Sequence, residues 1–189
     1  MDYRKIGKEV QQGIEGFFEK RERTFRELVD ICCDCLRAGK KIILFGNGGS
    51  AAQCQHFAAE LVNKFLKKRA AIPALSLTTD ASALTSIGND SSFDQVFSRQ
   101  VEALGQEGDV ALGISTSGNS PNVMEGLQTA RHRGLTTAAL TGKGGGKMAA
   151  LPDFLLDVPS EKTPRIQELH LVILHLLAQE IEEKLSKSL

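Results

Sequence analysis

The chain has 189 residues, 41% of them hydrophobic, which suits one domain with a full core of its own. Lysine plus arginine equals aspartate plus glutamate at 23 each, so the basic surplus of a phosphate-neutralising nucleic-acid binder is missing. The opening residues MDYRKIGKEV lack an apolar core, and no apolar run reaches the ~18–20 residues that span a bilayer, so the expectation is a soluble, cytoplasmic protein.

Residues 3–38 carry no proline, and apolar residues recur every three or four positions, from Ile6 and Val10 through Phe17 to Leu28 and Leu36. That period predicts two amphipathic helices, a hairpin over residues 1–38, with a break near Arg21–Arg23. Gly7, Gly13 and Gly16 weaken the first helix, and Gly39 closes the second. Cys32, Cys33, Cys35 and Cys54 have neither a disulfide framework nor a second pair at zinc-finger spacing, so they read as buried, reduced thiols.

Five short apolar runs of strand type follow: Lys41–Phe45, Pro73–Leu77, Val110–Ser115, Thr136–Leu140 and Phe154–Val158. Each of the first four leads through small or polar residues into a stretch of possible helix. The alternation predicts an α/β fold, a five-stranded parallel sheet flanked by helices, over residues 39–189. Residues 161–187 form a long closing helix. The apolar hairpin suggests packing against further copies, hence a homo-oligomer.

Two loops stand where open parallel sheets bind ligands, beyond the carboxyl ends of strands. One is GNGGS, with Asn47, Gly48, Gly49 and Ser50; the other is STSGNS, with Ser115, Thr116, Ser117 and Ser120. Glycine admits an anion close to the backbone, hydroxyls add uncharged donors, and a helix start supplies free N–H groups. Tight turns with capping serines would look the same in either loop alone. Neither loop has the Walker or GxGxxG spacing.

His56 and Glu60 lie four apart in HFAAEL, on one face of the helix after GNGGS, a spacing that suits two ligands of one cation or an ordinary surface pair. The closing helix adds Gln167, Glu168, His170 and His175 in RIQELHLVILH. Gln167 and His175 are eight residues apart, ~12 Å along a straight helix, so one ion reaches both only if their side chains converge.

GNGGS, Gly88–Asp90 (GND), GISTSGNS, LTGKGGGKMA and RIQELH together resemble a sugar isomerase (SIS) domain, and more narrowly the phosphoheptose isomerases, from about residue 6 to residue 185. The resemblance implies a single SIS-type domain and an aldose–ketose isomerase acting on sedoheptulose 7-phosphate. Its product would be a heptose 7-phosphate used in bacterial surface polysaccharide. It implies a homotetramer, and one divalent metal per subunit, usually zinc, held by His56, Glu60, Gln167 and His175. Glu60 would be the base and His175 the acid. Asn47, Gly48, Gly49, Ser50, Asn89, Asp90, Ser115, Thr116, Ser117, Ser120 and Gln167, with Glu60, would bind the sugar phosphate. Lys64 and Pro164 stand where many relatives carry other residues. Non-catalytic SIS proteins, one kind binding the replication initiator and another sensing sugar phosphates, are the rival readings; the first lacks counterparts of Glu60 and His175.

Overall fold

Alternating hydrophobic residues in the strands decide how the layers stack. The computed structural model describes residues 2–186, so residue 187 of the expected closing helix lies outside the described residues. In chain order the elements are α1 (Tyr3–Arg37), β1 (Ile42–Gly46), α2 (Gly49–Val62), β2 (Ala74–Ser76), α3 (Ala81–Asp90), α4 (Ser98–Leu104), β3 (Val110–Ser115), α5 (Pro121–His132), β4 (Thr136–Thr141), β5 (Phe154–Asp157) and α6 (Thr163–Ser186). The strands form one parallel sheet in the order β2-β1-β3-β4-β5.

Ile42 and Leu44 of β1, with Val110, Leu112 and Ile114 of β3, face a core shared with α1, α2 and α6. Ile43, Phe45, Ala111 and Ala139 face the opposite layer, with Val101 of α4 and Val123 and Leu127 of α5. The sheet is therefore buried on both faces, as parallel sheets require. Free Cys32, Cys33, Cys35 and Cys54 are all buried. Burial pushes the Cys35 thiol up to about 11, so it stays protonated and unreactive at neutral pH.

The expected hairpin is instead one 35-residue helix. Its N-terminus is capped by Asp2, whose carboxylate accepts from the Arg4 and Lys5 N–H groups. The charged run that suggested a break is where α1 meets the end of β5. Lys20 Nζ and Arg21 Nε reach the buried Asp157 carboxylate at 3.0 and 2.6 Å. On the outer side Arg23–Glu27 and Arg26–Glu22 pair at helical spacing. Gly13 is no weak point either. A Cβ there would lie 2.7 Å from Leu169 Cδ1, so this glycine sets how closely α1 approaches α6.

Two smaller expectations also shift. The strand expected over Pro73–Leu77 is narrower, Ala74–Ser76 on the sheet edge, with Pro73 and Leu77 still bonded to β1 at either end. After β4 comes not an α-helix but a glycine turn and a 3-10 turn over Gly146–Ala150. Gly144, Gly145 and Gly146 all have positive φ, a conformation that stops helix propagation.

Candidate active site

The connections from β1 and β3 leave toward opposite faces of the sheet. The strands are neighbours, so the loops after them open a crevice at the point where strand order reverses. The first loop, Asn47–Ser50, turns through Gly48 at φ +54° and ψ −120° and starts α2 at Gly49. Gly46 admits it: a Cβ there would meet the Ile114 carbonyl of β3 at 2.7 Å. The second loop, Thr116–Ser120, turns through Gly118 at φ +64° and starts α5 at Pro121. A Cβ on Gly118 would collide with the Gly145 carbonyl, so the turn after β4 supports this loop from behind. The Met148 N–H donates to the Gly118 carbonyl at 2.9 Å, and the Lys147 N–H to Asn119 Oδ1 at 3.0 Å.

Side chains join the two loops. Asn47 and the buried Asn122 exchange amide hydrogen bonds, both of 2.8 Å. Ser115 and Ser120 hydroxyls lie 2.9 Å apart. Because Ser120 Oγ turns to Ser115, it does not cap α5, and the N–H groups of that first turn remain open to a ligand. The starts of α2 and α5 thus flank one crevice, and loops 47–50 and 116–120 carry no charged side chain, an arrangement suited to an anion. Asn122 was not foreseen from sequence; its only signal is Ser120-Pro121, which marks a helix start and puts the next residue in the first turn.

From that crevice α2 runs alongside α6 in the same direction. Gly49 lies against the Gln167 side-chain amide, and Gln53 Nε2 donates to the Gln167 carbonyl at 2.7 Å. Farther along, His56 Nε2 and His175 Nε2 are 2.9 Å apart, and Glu60 Oε1 is 3.5 Å from His56 Nε2. Side chains 119 residues apart in sequence therefore share one spot. A contact this short between neutral imidazoles needs one ring to donate and the other to accept. Burial, then the neighbouring His56, pushes the His175 pKa below its ordinary value, with Glu60 pulling the other way. The uncharged form of His175 is therefore favoured.

The other expected residues lie elsewhere in this chain. Gln167 sits over Gly49, seven residues and ~10 Å of helix rise before His56, so it does not join the histidine pair. Asn89 and Asp90 are exposed at the end of α3 and hydrogen-bond to each other at 2.7 Å. Ser117 is exposed and Thr116 half-buried at the rim of the crevice, where the Thr116 carbonyl accepts from the Gly142 N–H. His170 is fully buried beside the Thr141 backbone, and neither ring nitrogen has a well-formed hydrogen bond.

Whether these residues suit a metal is a matter of donor chemistry. Two imidazole nitrogens and a carboxylate oxygen are the His2Glu donor set of catalytic zinc sites. Two nitrogens bound tetrahedrally at ~2.0–2.1 Å would stand roughly 3.3 Å apart, a small opening of the present contact. Among the described residues no group of three or more His, Cys, Asp or Glu is placed so that it could hold a metal ion as it stands. The donor types fit a divalent metal, while Gln167, the fourth ligand expected, has its amide against Gly49.

A family model for the SIS domain matches residues 7–142. The phosphoheptose isomerase of Desulfovibrio desulfuricans is 58% identical over 165 residues, covering 87% of this chain and 79% of that protein. The chain belongs to the phosphoheptose isomerase family. The Geobacter sulfurreducens phosphoheptose isomerase is 50% identical over 181 residues, covering 96% of this chain and 94% of its own length. A solved phosphoheptose isomerase from Neisseria gonorrhoeae superposes with a TM-score of 0.89 at 43% identity, covering 96% of this chain and 97% of the other. The chain is accordingly an isomerase on a SIS fold. Among the described residues no helix is long and apolar enough to cross a membrane.

Proposed function

We propose that this chain interconverts sedoheptulose 7-phosphate and D-glycero-D-manno-heptose 7-phosphate by proton transfer through an enediolate. The observation that carries the proposal is the meeting of His56 and Glu60, on the helix that starts in the anion crevice, with His175 of α6. Seven residues separate Gly49 from His56, ~10 Å of helix, which lets one extended sugar phosphate reach from the crevice to the histidine pair. Backbone N–H groups at the starts of α2 and α5, with Ser50, Ser115, Thr116, Ser117 and Ser120, hold the phosphate. Gly48 and Gly49 let it approach, and Asn47 orients sugar hydroxyls.

Glu60 takes the proton from C1, and neutral His175 serves the oxygen or carbon at the other end. His56, Glu60 and His175 are the residues that would hold a divalent metal, with zinc the first choice. Bound there, it would supply Lewis-acid polarisation of the carbonyl and its neighbouring hydroxyl. Gln167, at the crevice end of the same seam, contacts substrate or completes the ligand set from another subunit.

A homotetramer belongs to the same proposal. α3 has no fully buried residue, and Asn89 and Asp90 at its exposed end bond to each other, an arrangement that a second copy would complete. The deciding experiment follows sedoheptulose 7-phosphate turnover before and after a chelator, with metal content and oligomeric mass measured on the same sample. Turnover that falls on chelation and returns with zinc supports the reading. Binding of the sugar phosphate without turnover would make the chain a sensor and reject it.

A further inference from the structure

Beyond the histidine pair, the segment joining α2 to β2 is held unusually firmly for an exposed loop. The Glu182 carboxylate, buried in α6, accepts the consecutive backbone N–H groups of Phe65, Leu66 and Lys67 at 3.0, 2.8 and 2.9 Å. It also accepts Arg69 Nε at 3.0 Å. The same guanidinium donates to the Glu60 carbonyl at 2.8 Å, the Leu61 carbonyl at 2.8 Å and the Ala70 carbonyl at 2.9 Å. One buried ion pair therefore gathers the last turn of α2, the loop and α6.

Such a pair is weak evidence for stability, because desolvating both charges offsets most of their attraction. What it does provide is geometry. Glu182 follows His175 by seven residues, two helical turns, so both project from nearly the same face of α6. Phe65, whose N–H Glu182 holds, lays its ring on the His175 imidazole with centroids 5.5 Å apart at 32°. Arg69, which Glu182 also holds, fixes the carbonyl of Glu60.

We propose that the Glu182–Arg69 pair is a positioning clamp for the active site, setting the His175 ring through Phe65 and the Glu60 backbone through Arg69. The inference rests on the catalytic reading of Glu60 and His175. Neither clamp residue touches substrate; both act through the groups they hold. Rigid placement matters because small displacements of an acid or base cost much more in rate than in binding.

The test uses Glu182→Gln, Phe65→Leu and Phe65→Tyr in the full chain. In the metal-free protein at one pH, the aromatic shielding of the His175 ring protons by Phe65 is read by NMR. Glu182→Gln keeps Phe65 in the sequence but is expected to move those signals, because the loop no longer holds the ring in place. A purely structural clamp would lower thermal stability and leave them unmoved in the folded protein. For Phe65→Leu we expect kcat to fall roughly tenfold with KM within about twofold, and Phe65→Tyr to restore it. Unmoved His175 signals in Glu182→Gln, or kcat within about twofold of wild type in Phe65→Leu, would overturn the proposal. Should Glu182→Gln fail to fold, Phe65→Leu decides. If the wild-type chain fails to turn over sedoheptulose 7-phosphate, the catalytic reading falls on its own, and the NMR comparison still judges the clamp.

Discussion

The crevice and the α2–α6 seam reach precision by different means. In the crevice the backbone does the shaping: Gly46, Gly48 and Gly118 stand where a Cβ would collide or where φ is positive, and hydroxyls fill in. In the seam, side chains far apart in sequence do it, with His56 against His175 and Glu182 beneath Phe65. The first kind of site tolerates changes of hydroxyl better than changes of glycine. The second should fail when a single side chain loses its proton or its partner.

The largest effect belongs to the seam. Glu60→Gln removes the proposed base and keeps the side-chain shape, so kcat should fall by about 10²–10⁴-fold while the thermal midpoint changes little. Steady-state kinetics and a melting curve on one preparation check both halves. Near-wild-type turnover would assign the base elsewhere.

The next effect belongs to the crevice, and it should appear as lost stability. Gly118→Ala places a side chain in a left-handed conformation and against the Gly145 carbonyl. The expected cost is about 3 kcal/mol, which denaturant unfolding measures. An Ala variant as stable as wild type would mean the loop can relax away from the β4 turn.

His170 offers a comparison within α6 itself, five residues before His175. Burial pushes its pKa down to about 4, offset only in part by the Thr141 backbone. A histidine whose folded pKa lies below its unfolded one is stable neutral at pH 7. As pH falls below ~6.5 the unfolded chain takes the proton first, so stability drops until about the folded pKa. Between pH 7 and 4 the drop from this group should approach about 3 kcal/mol, and His170→Leu should flatten that part of the profile. Unfolding free energies across this pH range would contradict the account if wild type and variant kept parallel slopes.

The smallest effect is Ser120→Ala, which removes one hydroxyl from the crevice and the bond to Ser115. A KM rise of roughly fivefold, about 1 kcal/mol, with kcat nearly unchanged would fit a phosphate contact.

This contrast also explains what could be read from sequence. Strand runs and glycine loops are local patterns, so β1, β3, β4 and both glycine loops stood out, within a residue or two of their bounds. His56 with Glu60 was visible as a helical spacing. The pairing of His56 with His175 came from the family resemblance, since no local pattern ties residues 119 positions apart. The hairpin expectation failed because a run of charges looks like a helix end unless the buried Asp157 that receives it is known. Phe65, Arg69 and Glu182 gave no signal, because a loop carboxylate clamp exists only once α2 and α6 lie side by side.

The most direct test of proton transfer at the seam is the hydrogen found at C2 of the aldose product when the reaction runs in deuterium oxide. With Glu60 taking the C1 proton and a separate group serving the other end, C2 should carry deuterium from the first turnovers. The Glu60 side chain is 24% exposed, which leaves its proton free to exchange. Protium retained at C2 in every product molecule would indicate a direct hydride shift and contradict the enediolate mechanism.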